Sequence, residues 1–111
     1  MLQKSKIETY LGFCIRARKI IFGTEMISRQ KKGVKLLIVD GGIGANSLKE
    51  TLNAKERFMC PLVQTETGVL GQTLHKPAVK VVAVLDDSLA SAIVKAVEDE
   101  SQYKFYSGGN N

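Results

Sequence analysis

The chain has 111 residues, of which 44% are apolar and 24% charged, and its formal net charge is +5. This length is sufficient for one domain with a buried core and too short for two. The longest apolar runs have four to five residues, which excludes a membrane-spanning helix. Together with the polar opening Met1–Lys4, they lead us to expect no signal peptide and a cytoplasmic location.

The charge is unevenly distributed along the chain. Residues 1–35 contain nine basic and two acidic side chains, whereas residues 36–111 contain seven basic and nine acidic ones. An excess of positive charge at one end favours a polyanionic partner such as nucleic acid, although a solvated lysine-rich surface explains the same pattern equally well.

The first predicted helix begins at a capping box, Ser5-Lys6-Ile7-Glu8, in which a hydroxyl precedes a carboxylate by three residues. Apolar residues at helical spacing extend it to about Ala17. Three cations lie at or just beyond its end: Arg16, Arg18 and Lys19. Cations suit a helix C terminus, so these residues have a structural explanation as well as a phosphate-binding one.

A short strand, Ile20–Phe22, is predicted next, followed by a helix that opens at Gly23 and Thr24 and runs to about Lys32. Seven of the sixteen Lys and Arg residues lie between Arg16 and Lys35, around the start of this helix, and we call them the basic cluster. Because N–H groups at a helix start and nearby cations both attract anions, this segment predicts a phosphate-binding site.

Two later strands, Leu36–Val39 and Val81–Leu85, are apolar without polar alternation. Such strands are buried on both faces, so helices should cover both sides of the sheet. The remaining predictions are a helix from the capping box Ser47–Glu50 to about Phe58, a strand Leu62–Gln64, a short helix Thr67–Leu74, and an amphipathic helix over Leu89–Val97.

This alternation of helices and strands predicts an α/β fold, specifically a three-layer α/β/α sandwich around a small, mostly buried mixed sheet. We expect one domain over residues 1–106 and a loose tail over 107–111.

No pattern in the sequence indicates catalysis. Asp40–Gly44 lies between a strand and a helix, but it is a poor match to a nucleotide-phosphate loop and is interpreted as a turn. His75 lacks partners for a triad, and Asp86-Asp87 is interpreted as the cap of the last helix. Cys14 and Cys60 fit no metal-ligand spacing and are expected to be buried thiols. We therefore predict a protein that is not an enzyme, with no metal and no cofactor.

Three segments resemble, in order and spacing, the ribosomal protein family that includes archaeal L-seven-Ae and L-thirty-e and its small bacterial relatives. The resemblance covers roughly residues 7–97. The first segment is Leu11-Gly12, Arg16-Ala17-Arg18-Lys19 and Gly23; the second is residues 31–40; the third is Leu70-Gly71-Gln72, Lys76-Pro77 and Val81–Val84.

The resemblance implies a cytoplasmic, non-catalytic α/β/α protein that binds structured RNA, in many members a kink-turn. By this resemblance, Gly23 lets the RNA backbone approach, and Thr24 and Glu25 contact bases or sugars. A loop from Leu74 to Val79, with His75 at its tip, covers an extruded base. Phosphate contacts are assigned to six cations: Arg18, Lys19, Arg29, Lys32, Lys35 and Lys76.

The chain departs from the family pattern at several of these positions. Family members that bind kink-turns usually have Asn, Glu and Lys in the first turn after the glycine, where this chain has Glu25, Met26 and Arg29. Gly42 replaces an acidic residue, and Arg18 stands where bacterial relatives commonly have glycine. Two alternatives remain open: a protein-interaction module on the same fold that has lost RNA recognition, and a small nucleotide-dependent enzyme that uses Asp40–Gly44.

Overall fold

The computed structural model describes residues 5–107. The polar opening Met1–Lys4 and the expected loose tail, apart from Ser107, lie outside these residues. The helices are α1 (Lys6–Arg16), α2 (Thr24–Arg29), α3 (Ala45–Phe58), α4 (Val69–Leu74) and α5 (Asp87–Ala96), the last followed by a 3-10 turn, Val97–Asp99. The strands are β1 (Ile20–Phe22), β2 (Leu36–Asp40), β3 (Leu62–Thr65), β4 (Val81–Val84) and β5 (Tyr103–Phe105).

The five strands form one mixed sheet in the order β1-β4-β2-β3-β5. β2 and β3 are parallel, and the other neighbouring pairs are antiparallel. Every residue of β2 and β4 is buried. This burial confirms that the unalternated apolar strands lie in the middle of the sheet with both faces covered.

Helices cover the two faces of the sheet, which confirms the α/β/α sandwich. On one face, Leu36 and Ile38 pack in a core with α1, α4 and α5. On the other face, Leu37 and Val39 pack in a second core that includes Ile27 of α2 and Ala54 of α3. Alternate residues of β2 thus enter opposite cores, as the two-residue period of a strand requires.

Two of the predicted helix starts have the expected caps. The Ser5 hydroxyl accepts a 3.0 Å hydrogen bond from the Glu8 N–H. The Asp86 carboxylate accepts a 2.8 Å bond from the Leu89 N–H, which confirms that it caps the last helix. The Glu100 carboxylate also fixes the start of α1, because it accepts a 3.1 Å bond from the Ile7 N–H.

Several predicted boundaries are wrong. The predicted cap Ser47 lies inside α3, because that helix begins at Ala45 after Gly44. α4 begins at Val69, after the positive-φ residue Gly68, and not at Thr67. β5 was not predicted, because its three residues form no apolar run and are ordered by pairing with β3.

The second helix is shorter than predicted and ends at Arg29. The Arg57 guanidinium donates to the carbonyls of Ile27, at 3.3 Å, and Gln30, at 2.8 Å. Ile27 O also accepts from the Gln30 N–H at 3.1 Å, so Arg57 adds a second donor there and a donor to the carbonyl of Gln30, which is itself extended. Lys32 therefore lies in the loop before β2 and not on a helix.

Both thiols are free and buried, as expected. Burial raises the pKa of Cys14 to about 11 and also raises that of Cys60, so neither thiol is activated as a nucleophile. Within residues 5–107, no helix is long and apolar enough to cross a membrane.

Candidate nucleic-acid interface

Four loops meet on one side of the sheet, at the ends of its strands, and we call this side the Gly23 edge. It consists of the turn Gly23–Glu25 and of residues 41–44, 66–68 and 75–80. The strand register places them together, because β1, β2 and β3 end at the edge where β4 begins. The backbone bonds agree with the register: the Gly23 N–H donates to Val81 O at 2.9 Å, and the Asp40 N–H donates to Lys80 O at 2.8 Å.

Gly23 is the residue at this edge whose conformation most clearly requires glycine. Its φ of 88° and ψ of 155° lie in a region that L-residues rarely adopt. A Cβ atom added there would meet nothing within 4 Å. The backbone of this turn therefore faces open space, and a ligand can approach it closely. α2 has only six residues, so its macrodipole adds little to the attraction of an anion.

The loop before β4 lies beside the Gly23 turn. The Lys76 ammonium is 5.4 Å from the centroid of the Phe22 ring, at the end of β1. The loop is held against α4, since the Lys76 N–H donates to Gly71 O at 2.9 Å. The structure thus brings together two segments that the sequence places about fifty residues apart.

The members of the predicted covering loop differ in exposure. His75 and Lys76 are exposed, and His75 has a left-handed backbone with φ of 57°. Leu74 is only 4% exposed and packs in the core, and Val79 is partly buried against the same core. The exposed surface of this loop therefore comes from the four residues His75–Ala78.

The two charged side chains in α2 pair with each other. The Arg29 guanidinium donates to the Glu25 carboxylate at 2.8 Å, and both side chains are largely exposed. Thr24 is half-buried at the helix start, and Met26 is 48% exposed. In this arrangement Glu25 and Arg29 partly neutralise each other at the surface.

The remaining predicted phosphate contacts do not lie at the Gly23 edge. Arg18 and Lys19 precede β1, and Lys35 precedes β2, so these three lie at the opposite edge of the sheet. Backbone bonds fix this placement, because Leu85 N–H donates to Lys19 O at 2.8 Å. The Lys35 ammonium is also 3.8 Å from Asp87. Lys32, in the loop between α2 and β2, also lies outside the Gly23 edge. The structure therefore places most of the basic cluster away from the Gly23 edge, whereas Arg29 of that cluster is bonded to Glu25 at the edge.

The buried side chain of Asp40 connects loops of the Gly23 edge through hydrogen bonds. Its fully buried carboxylate accepts hydrogen bonds from the N–H groups of Gly42 at 2.8 Å, Gly68 at 3.0 Å and Leu70 at 3.1 Å. Burial raises the pKa of Asp40, but these three donors and the charge of Lys80 outweigh it, so the pKa is lowered overall. The carboxylate is therefore ionised at neutral pH, and it fixes the loop 66–68 against the loop 41–44.

Sequence reasoning missed this role of Asp40 and assigned the segment only to a turn. The available signal was a carboxylate directly after four apolar residues of a buried strand, followed by two glycines. Both glycines pack closely: a Cβ at Gly41 would lie 2.8 Å from Thr65 O, and one at Gly42 would lie 3.0 Å from the Thr67 side chain. Among residues 5–107, no group of three or more His, Cys, Asp and Glu side chains is placed to hold a metal ion.

Comparison with known proteins supports the resemblance at the level of the superfamily. No protein-family model matches the chain. The chain is similar to RNA-binding protein YlxQ of Bacillus subtilis (strain 168), with 26% identity over 91 residues, which cover 79% of this chain and 91% of YlxQ. It also resembles the solved structure of a protein of unknown function from Bacillus halodurans, with a TM-score of 0.75 and 22% identity. That match covers 86% of this chain and 99% of the other, and it shows the fold.

Proposed function

We propose that this protein is a small, non-catalytic RNA-binding protein related to the L-seven-Ae and L-thirty-e superfamily. In this proposal the domain over residues 1–106 binds ribosomal or other structured, kink-turn-like RNA in a cytoplasmic ribonucleoprotein. The similarity to a protein named as RNA-binding supports the partner class. The observation that carries the proposal is the contact between Lys76 and Phe22, which joins the covering loop to the Gly23 turn.

Each part of the Gly23 edge has a role in the proposal. The exposed backbone at Gly23 lets a sharply bent RNA strand approach without a side chain in the way. Thr24 and Glu25 face bases or sugars, and Lys76 and Arg29 contact phosphates. His75 adds a planar ring at the tip of the covering loop, where an unstacked base can stack. Phosphate contacts position the protein, and the few contacts to base edges provide selectivity.

The test is equilibrium binding to a kink-turn RNA and to an unbent duplex over a series of salt concentrations. If Lys76 and Arg29 each neutralise one phosphate, the logarithm of affinity falls with the logarithm of salt concentration with a slope of roughly −1.4 to −1.8. The variant Lys76→Ala should weaken binding and reduce the slope by about one. The exposed cation Lys104 of β5 provides the control, because Lys104→Ala removes the same charge from the strand farthest from β1 in the sheet order. A slope near zero, or no binding at low salt, would refute the proposal.

A second candidate is a protein-interaction module on the same fold. One observation favours it: Glu25 and Arg29 pair with each other, and Met26 of the same helix is an exposed apolar side chain. A module of this kind would leave RNA affinity unchanged when Lys76 is neutralised. The binding series therefore distinguishes the two candidates.

A further inference from the structure

Arg18 has a backbone conformation that favours glycine. Its φ is 57°, in the left-handed region, where a residue with a Cβ is strained. The side chain is exposed, and the structure gives its guanidinium no hydrogen bond or ion pair within residues 5–107. An arginine at a strained position, without a partner in the folded chain, indicates that the side chain contacts a ligand and does not serve to stabilise the fold.

Arg18 and three neighbouring side chains form a surface that we call the α1–β1 corner and define as Phe13, Arg16, Arg18 and Lys19. The Arg16 guanidinium lies 4.9 Å from the centroid of the Phe13 ring, and that ring is 42% exposed. The backbone is fixed by two bonds back into α1: Arg18 N–H donates to Ile15 O at 3.1 Å, and Lys19 N–H donates to Cys14 O at 2.8 Å. The corner therefore presents an aromatic ring and three exposed cations on a backbone that these bonds hold in place.

Within residues 5–107, no carboxylate forms an ion pair with the cations of this corner. Asp86 follows Leu85, which is bonded to Lys19, but its carboxylate caps α5 through the Leu89 N–H at 2.8 Å. Asp87 lies 3.8 Å from Lys35. The three cations of the corner thus keep an excess of positive charge beside an exposed aromatic ring.

We propose that the α1–β1 corner is a second RNA-binding surface, which takes a single-stranded segment of the same RNA that binds at the Gly23 edge. This inference rests on the proposed function. Surfaces that bind single strands combine cations that follow the phosphates with aromatic rings on which bases stack. Residues Lys19 and Gly23 are separated only by β1, so their Cα atoms are about 13 Å apart at the rise of a strand. A strand that leaves the Gly23 edge reaches the corner within a few nucleotides.

The competing explanation is structural, because cations near the C terminus of the eleven-residue helix α1 interact favourably with its dipole. The variant Arg18→Gly separates the two explanations. Glycine relieves the strain at φ of 57°, so it should leave the melting temperature unchanged or raise it, while it removes one cation from the corner. A drop in melting temperature with unchanged RNA affinity would overturn the proposal in favour of a structural role.

The decisive experiment compares a kink-turn RNA alone with the same RNA carrying a short single-stranded oligo-uridine extension. The unaltered protein should bind the extended RNA about fivefold or more tightly than the plain one, because a base stacked on an aromatic side chain strengthens binding by at least this factor. The double variant Phe13→Ala with Arg18→Gly should lose this gain and keep its affinity for the plain RNA. The variant Lys104→Ala, which removes an exposed cation from β5 at the far side of the sheet, should keep the gain.

The other outcomes overturn the inference in distinguishable ways. If the plain RNA binds but the extension adds nothing, the second surface is refuted and the proposed function stands. If a base-paired extension gives the gain and the single-stranded one does not, the assignment to a single strand is wrong. A gain that persists in the double variant assigns the extension to another surface. If neither RNA binds, the proposed function fails and this inference fails with it.

Discussion

The carboxylate of Asp40 accepts a 3.0 Å hydrogen bond from the backbone N–H of Gly68, twenty-eight residues further along the chain. The bond joins the end of β2 to the start of α4, and the same carboxylate binds Gly42 and Leu70. A single buried charge therefore sets the relative position of two loops at the Gly23 edge. The stability of this edge should depend on the ionisation of Asp40.

We expect Asp40→Asn to lower the free energy of unfolding at neutral pH by about 1.5–3 kcal/mol. Each carboxylate oxygen accepts from at least one backbone N–H, and the amide nitrogen of Asn would instead place a donor against one of these donors. Urea denaturation of both proteins at neutral pH measures the difference. The exposed carboxylate of Asp87 provides the control, because Asp87→Asn should change stability by less than about 0.5 kcal/mol.

The same pair of proteins should differ in their pH dependence. The pKa of Asp40 is lowered in the folded state, so its stabilisation is complete above the ordinary aspartate pKa of about 3.9 and is lost as pH falls through the lowered folded value. The stability difference between wild type and Asp40→Asn should therefore narrow below about pH 4. Unfolding curves from neutral pH to about pH 2 measure this narrowing. A difference that is independent of pH would show that Asp40 is not ionised in the folded protein.

Gly71 should control the position of the covering loop. A Cβ there would lie 3.0 Å from Pro77 Cα and 3.1 Å from Lys76 O, so Gly71→Ala forces the loop backbone to move. We expect a loss of about 1–3 kcal/mol in stability and a weaker affinity for RNA. The matched control is Gly12→Ala in α1, where a Cβ meets nothing within 4 Å and alanine should stabilise the helix by about 0.5–1 kcal/mol. Unchanged stability and RNA affinity in Gly71→Ala would contradict the tight packing of this loop.

Gly23 and Gly33 provide a matched pair for separating backbone strain from RNA contact. Their φ values are 88° and 91°, and a Cβ at either position meets open space. Gly23→Val and Gly33→Val should each lower stability by about 1–3 kcal/mol. Only Gly23→Val should also place a side chain between the backbone and a bent RNA strand, and so reduce affinity beyond the loss in stability. The melting temperatures give the loss in stability, and RNA affinity is measured at a temperature at which both variants are folded. Equal RNA affinities of the two variants would remove Gly23 from the interface.

Selectivity for kink-turns should depend on the first turn of α2. With Glu25 and Met26 at this turn, the protein should prefer a kink-turn over an unbent duplex only weakly. Glu25→Asn with Met26→Glu should raise this preference by about 1–3 kcal/mol for each base edge that the new side chains recognise. The change breaks the exposed ion pair between Glu25 and Arg29, which contributes at most about 1 kcal/mol to stability.

The measurement of this selectivity is a competition between the two RNAs at one salt concentration. Ser28→Ala, at an exposed position of the same helix, is the control and should leave the preference unchanged. A strong preference of the unaltered protein for the kink-turn would show that Glu25 and Met26 are compatible with kink-turn recognition. No increase in the double variant would show that this turn does not face the base edges.

Local patterns predicted the layers of the fold, because burial on both faces leaves a continuous apolar run in the sequence. β2 and β4 follow this rule, and the caps at Ser5 and Asp86 are equally local. β5 could not be predicted in this way, because its order comes from pairing with β3. The end of α2 depends in the same manner on Arg57, a side chain from α3.

Sequence patterns are sufficient to predict an α/β sandwich with a cluster of cations near the start of the chain. The positions of those cations on the surface follow from the tertiary structure. β1 runs from one edge of the sheet to the other, so it separates Arg18 and Lys19 from Gly23, while the return of β4 brings Lys76 to Phe22. Sequence distance measures length along the chain, whereas the arrangement of a charged surface depends on strand order and direction. These are set by hydrogen bonds between strands that are distant in the sequence.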